Sequence, residues 1–270
     1  MLKIAAIQMT SGPHLDGNIN TARRLIGEAV AQGAKLVLLP EYWPLMGMHE
    51  QDKTHLAASP KAAYMVEFMA EQARSHGIYL IGGTVPLVSP ETNKVFNTTL
   101  VFDAQGQQVA RYDKIHLFGF TKGAESYQES NSIVAGAEPI SFIAQGEFGA
   151  CKVGLSICYD LRFPELYRSF GPTDLIVVPA AFTYTTGSVH WEILLRARAI
   201  ENQCYVLASG QTGHHPNGRH TWGHSMLIDP WGKIVAELPE AQGVVGGEIN
   251  FELLQEVRRN LPALQHRVLA

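Results

Sequence analysis

Residues 35–41 read Lys-Leu-Val-Leu-Leu-Pro-Glu, and this stretch decides the architecture. Four apolar residues closed by a proline are too few for a helix, and they lack the polar alternation of a strand with one wet face. They read as a strand covered on both sides, as in sheets that carry another layer on each face. Upstream, Ile19, Ala22, Leu25, Ile26, Ala29 and Val30 recur at helical spacing from Asn18, and Gly33 closes that helix; residues 3–9 before it read as another strand. Downstream, Ser59 as N-cap, Pro60 at the first helical position and Gly77 past the end bracket a second helix, followed by a strand over 79–85.

After Pro90, residues 95–102 and 108–112 flank a turn at Asp103-Ala-Gln-Gly106, a hairpin signature. The second half repeats the succession: a strand over 150–157, a helix after Cys158, a strand over 175–178, a helix over 190–202, a strand over 204–209, a hairpin around Asp229-Pro-Trp-Gly232 and a closing helix over 251–260. With no Ser/Gly linker between the halves, residues 1–270 are expected to form one α/β domain whose sheets pack on each other, with a C-terminal tail able to cross to a partner.

Composition narrows the function. Hydrophobic residues make up 46% and charged residues 17%, enough apolar surface for a large core, which excludes disorder and fibrous repeats. Lys plus Arg number 21 against 25 Asp plus Glu, a net charge of −4 with no basic run, so no nucleic-acid surface is expected. The apolar stretch at the N-terminus is broken at Gln8, and the longest apolar run, over 175–182, is interrupted by Pro179 and far short of the ~20 residues of a membrane span. Neither export nor a membrane partner is expected. Cys151, Cys158 and Cys204 are odd in number and lack metal-type spacing, which points to a reducing compartment, the cytoplasm.

Three polar residues sit where strands run out: Glu41, Lys114 and Cys158. Ligand sites of α/β sheets lie at such ends. Cys158 opens the sequence Cys-Tyr-Asp-Leu-Arg-Phe-Pro-Glu-Leu-Tyr, read as the start of a helix whose N–H groups and dipole stabilise a thiolate. The alternative is a small buried hydrophobe, a role that suits Cys151 and Cys204 better. Glu41 is either a loop carboxylate or a partly dry general base. Lys114, in Tyr-Asp-Lys-Ile-His-Leu-Phe, is either a solvated lysine or a charge aimed into a pocket.

Taken in order, Leu-Pro-Glu41, Tyr-Asp-Lys114-Ile-His-Leu and Cys158-Tyr-Asp-Leu-Arg-Phe-Pro-Glu resemble the three motifs of the nitrilase superfamily of carbon-nitrogen hydrolases. Later segments, from His190-Trp-Glu through Gly223-His-Ser-Met and Asp229-Pro-Trp-Gly to Leu261-Pro-Ala-Leu-Gln-His-Arg267, extend the resemblance over nearly the whole chain. Within it the chain is most similar to the branch of deaminated glutathione amidases and ω-amidases. The resemblance implies a four-layer αββα sandwich, a homodimer, no cofactor, and a Glu-Lys-Cys set at Glu41, Lys114 and Cys158. It also implies a second glutamate beside the lysine, Glu129.

The implied reaction is hydrolysis of a non-peptide amide of a small carboxylate-bearing substrate through a thioester. Cys158 is the nucleophile and Glu41 the acid and base, while Lys114 and the Tyr159 backbone N–H face the oxyanion. Thr183, in the loop read over 182–187, is expected to line the acyl pocket or else to cap the next helix. Arg162 is either a partner for a substrate carboxylate or an ion-pair partner of Asp160 or Glu165. The segments 129–132, 211–215 and 223–227 are more similar to those of deaminated glutathione amidases than of ω-amidases, a resemblance that implies deaminated glutathione rather than 2-oxoglutaramate or 2-oxosuccinamate as substrate.

Rival readings are a papain-like pairing of Cys158 with His190 or His224, a metal held by His214, His215, His220 and His224, and a nitrilase-fold scaffold that binds without hydrolysis. The histidines crowd a Gly/Pro/Asn-containing loop at irregular spacing, unlike ligands paired on a helix face, so no metal is expected. Neither histidine has a cysteine-protease signature, and all three motif residues are intact.

Overall fold

The computed structural model describes residues 1–123 and 125–268. Two sheets lie face to face. The first runs Gly243–Ile249, Leu2–Gln8, Leu36–Leu38, Tyr79–Ile81, Val95–Phe102, Val85–Val88, with Gln108–Asp113 and Ile133–Val134 also paired to Val95–Phe102. The second runs Ser141–Gly146, Gly149–Leu155, Leu175–Ala180, Tyr205–Gly210, Ser225–Ile228, Ile234–Leu238. In each, the three central strands that alternate with helices are parallel.

The apolar run at residues 36–39 is explained by its two coverings. Leu36 and Leu38, with Ile4 and Ala6, join the core between the sheets. Val37 and Leu39, with Ala5 and Ile7, pack against Leu25, Ile26, Phe68 and Met69 of the Leu15–Ala31 and Lys61–His76 helices. On the far side, Leu166 and Tyr167 of Pro164–Ser169 and Trp191 and Leu195 of Tyr184–Asn202 close the second sheet. The result is the αββα sandwich that the resemblance implied.

Gly77 is left-handed and closes the Lys61–His76 helix as read, but the start of that helix differs: Pro60 is the N-cap rather than the first helical residue, and the Ser59 hydroxyl donates back to the Leu56 carbonyl at 2.8 Å instead of capping. The strand expected over 79–85 is divided at Gly82-Gly83, and its second part, Val85–Val88, moves to the far side of Val95–Phe102. A Cβ on Gly83 would fall 2.1 Å from the Pro40 carbonyl oxygen, so only glycine lets this crossing pass the turn that carries Glu41. The helix expected from His190 begins six residues earlier, at Tyr184. Thr183 is its N-cap, accepting from the Thr186 N–H, and Gly187 lies inside the first turns because a Cβ there would meet Trp222 at 2.4 Å. Capping and close packing outweigh the loop-like composition of 182–187.

Candidate active site

Glu41 stands in the turn after the Leu36–Leu38 strand and is buried. One carboxylate oxygen accepts from Lys114 Nζ and from Asn97 Nδ2, both at 2.9 Å, and the other from the Ala181 N–H at 2.8 Å. Asn97 comes from the first sheet and Ala181 from the end of a strand of the second, so the carboxylate bridges the sandwich.

Lys114 follows the Gln108–Asp113 strand and is fully buried. Its ammonium donates to Glu41 and to both oxygens of Glu129, at 3.0 and 2.8 Å. Burial alone pulls a lysine pKa down, but the charges of Glu129 and Glu41 outweigh it and hold this one well above the ordinary value. Glu129 also accepts from the Tyr42 hydroxyl at 2.8 Å and the Phe118 N–H at 2.7 Å. Burial works against its charge, yet Lys114 and these donors keep its pKa below the ordinary value.

Cys158 sits between strand and helix with φ 48°, a left-handed backbone that a non-glycine residue adopts only when its surroundings enforce it. The enforcing group is Asp160. Its carboxylate accepts from the Ile157 N–H at 2.8 Å, the Tyr112 hydroxyl at 2.7 Å and the His116 N–H at 3.0 Å, and faces His116 Nδ1 at 2.7 Å. The element after Cys158 is a 3-10 turn, Cys158–Arg162, with the α-helix starting only at Pro164. The thiol is not a helix-stabilised thiolate as read from sequence: burial first, then the Glu41 charge, push its pKa well up, with Lys114 opposing. The Glu41 carboxylate beside it is placed to accept the thiol proton. The Tyr159 N–H makes no hydrogen bond among the described residues and is free to meet an oxyanion.

The sequence also assigns this set of residues to a known group. A carbon-nitrogen hydrolase profile matches residues 3–259. The chain belongs to the carbon-nitrogen hydrolase family. The hydrolase is 45% identical over 268 residues to the deaminated glutathione amidase of Synechocystis sp., covering 98% of this chain and 97% of that protein. Among solved structures it resembles the C. elegans NitFhit protein, with a TM-score of 0.87 and 38% identity over 99% of this chain, while spanning only 65% of that longer protein. It also resembles Saccharomyces cerevisiae Nit3, a member of branch 10 of the nitrilase superfamily, with a TM-score of 0.85 and 31% identity, covering 99% of this chain and 97% of that one. The hydrolase is thus an amidase of carbon-nitrogen bonds.

An inner pocket of the hydrolase brings together Glu41, Glu129, Cys158, Tyr159 and Thr183 with Phe118, Phe182 and Arg219. Thr183 therefore both caps its helix and borders the pocket. Arg162 pairs with neither Asp160 nor Glu165; its guanidinium packs over the rings of Tyr159 and Phe182, 5.8 and 5.5 Å from their centres, and faces His190 Nδ1 at 3.3 Å. Asp160 has no room for it, being taken up by the cysteine turn.

The histidines have other engagements. His215 is buried between the Ser11 carbonyl and the Thr221 hydroxyl, His214 stacks on His220, and His224 stacks on Trp222 while facing Glu237 at 2.6 Å. Among the described residues no group of three or more His, Cys, Asp or Glu is arranged around a metal position, and neither His190 nor His224 is hydrogen-bonded to Cys158. Sequence reading did not assign Asn97, Asp160, Tyr42 or Arg219 to the site. A buried Asn in the apolar strand Val95–Phe102 was the one available signal, since a polar side chain there demands a partner.

Proposed function

We propose that the protein, as one domain over residues 1–270 acting in the cytoplasm, hydrolyses deaminated glutathione to 2-oxoglutarate and cysteinylglycine, clearing a transaminase side product. Cys158 attacks the amide carbonyl as Glu41 accepts its proton. The oxyanion lies between the Lys114 ammonium and the Tyr159 N–H. Glu41 returns the proton to the departing amino group, then deprotonates the water that opens the thioester, and Glu129 holds Lys114 in place throughout. Thr183 lines the acyl side. No step uses a cofactor or metal.

The observation that supports this reading is the Glu41 carboxylate, fixed by three donors from two sheets in the pocket that holds Cys158. For the substrate, support comes from the Synechocystis relative and from the cavity beyond Glu129, lined in part by Asn217 and Arg219 of the 214–224 loop; 2-oxoglutaramate, which loses only ammonia, needs no such room. Exposed Val189, Ile193 and Ile200 on the Tyr184–Asn202 helix, with Trp231 nearby in the chain's last hairpin, favour a homodimer through that face.

Purified protein is to be assayed on deaminated glutathione and 2-oxoglutaramate side by side. A higher kcat/KM for deaminated glutathione is expected. Equal or better hydrolysis of 2-oxoglutaramate makes the protein an ω-amidase, and turnover of no amide at all makes it a binding scaffold.

A further inference from the structure

Beyond the Glu41, Lys114 and Cys158 cluster, the cavities beside Glu129 are bordered by two further cations, Arg219 and Lys53, and neither makes an ion pair among the described residues. Arg219 borders the inner pocket, an outer cavity of about 200 Å³ and the surface groove beside Tyr184. Its guanidinium packs against Tyr127 and Tyr42, 5.1 and 6.0 Å from their ring centres, and its Nε is buried with no hydrogen-bond partner. Lys53, from the Asp52–Ala57 helix, lines the same outer cavity and donates to the Ser132 hydroxyl at 2.9 Å. Burial draws its pKa below the ordinary value, the state of an ammonium short of an anion.

These cations are not spent on the cavity's own carboxylates. Glu129 already receives Lys114, the Tyr42 hydroxyl and the Phe118 N–H, and Glu50 stands exposed at the rim. Two carboxylates share the one ammonium of Lys114, so an anionic substrate nearing the cluster is repelled unless further cations receive it. The cavity is far larger than a water, whose share of liquid volume is ~30 Å³. Cys158 and Thr183 border only the inner pocket and Lys53 only the outer one. In the proposed reaction the acyl group is bonded to Cys158, on the inner side, so the portion set toward Lys53 is the one that leaves.

We propose that the outer cavity is the subsite for the departing portion of the substrate, and that Arg219 and Lys53 bind a carboxylate at its far end. This deepens the proposed function and rests on it: cysteinylglycine ends in such a carboxylate, and ammonia does not. The geometry selects amides whose amine portion is itself anionic.

The test compares deaminated glutathione with its C-terminal glycinamide analogue in wild type, Arg219→Gln, Arg219→Lys and Lys53→Met. In wild type the carboxylate is expected to raise kcat/KM about 10- to 100-fold over the amide, the scale of charge-assisted hydrogen bonds. That ratio should fall toward 1 in Arg219→Gln, fall partly in Lys53→Met and be partly kept in Arg219→Lys. Because it compares two substrates on one enzyme, the ratio does not depend on how much of a variant folds. A wild type that hydrolyses deaminated glutathione but shows a ratio near 1, or a ratio that Arg219→Gln leaves intact, overturns the subsite while leaving the proposed function standing. A wild type that does not hydrolyse deaminated glutathione overturns both.

Discussion

Replacing Glu41 by Gln removes a charge while keeping the shape, and the surroundings of the side chain set the outcome. One oxygen receives Lys114 and Asn97, the other the Ala181 N–H. Whichever way the amide is turned, its NH2 meets donors, at Lys114 and Asn97 or at Ala181. One end is left mispaired in a buried site, at a cost of about 1–3 kcal/mol. For a protein of this size, each kcal/mol lowers Tm by roughly 2–4 °C, so a loss of several degrees is expected. The catalytic loss is larger: without a base for the thiol and the water, kcat should fall at least ~10²-fold, and ~10⁴-fold is about 5.5 kcal/mol of barrier. The same change should make the thiol more acidic, because Glu41 raises its pKa and Lys114, still present, lowers it. Turnover, melting and the pH dependence of iodoacetamide alkylation at Cys158 read the three effects separately. A kcat within a few-fold of wild type in a protein of native circular dichroism, or an alkylation profile moved to higher pH, refutes the role given to Glu41.

Cys158→Ala should abolish hydrolysis with melting close to wild type, and full product release by this variant would overturn the thioester route. Lys114→Ala should lose at least ~10²-fold in kcat and about 3–5 kcal/mol of stability by leaving Glu41 and Glu129 as uncompensated buried charges, which urea unfolding measures. Burial holds the thiols of Cys151, Cys158 and Cys204 and the phenols of Tyr112 and Tyr167 above their ordinary 9.0 and 10.0. The folded chain then binds more protons than the unfolded one above those values, so stability should be full below about pH 9 and fall as pH rises; a Tm unchanged to pH 11 contradicts this. Incubation with EDTA should leave activity unchanged, and zinc-dependent recovery of lost activity would revive a metal at the histidine loop.

The layers were legible because each rests on local signals: an apolar run ended by proline, a left-handed Gly77, the turn ended by Gly106. Glu41, Lys114 and Cys158 were legible for a related reason, since each ends a strand and carries its own motif. What sequence could not give is what holds them. Asn97 and Ala181 reach Glu41 from distant positions, Asp160 lies in the cysteine turn but holds Tyr112 and His116 of the other sheet, and all these pairings are fixed only when the two sheets stack. The ribbon Gly119–Lys122 with Glu125–Gln128, which delivers Glu129, has too little apolar patterning to read as strands. The early start of the Tyr184–Asn202 helix was hidden because Gly187 marks a close approach to Trp222, a contact that no local pattern announces.

Asp160 also bears on how the enzyme dies with heat. Its carboxylate belongs to the second sheet's cysteine turn, yet it holds Tyr112 and His116, which stand two residues on either side of Lys114 at the end of a first-sheet strand. Nucleophile and ammonium are thus sewn into one seam, and any sliding of one sheet over the other must tear it. The seam leaves no gentle route by which the site could loosen while the sandwich stays shut. Thermal inactivation and global unfolding should therefore follow one curve, unlike enzymes whose sites sit on mobile flaps and fall silent well before they melt.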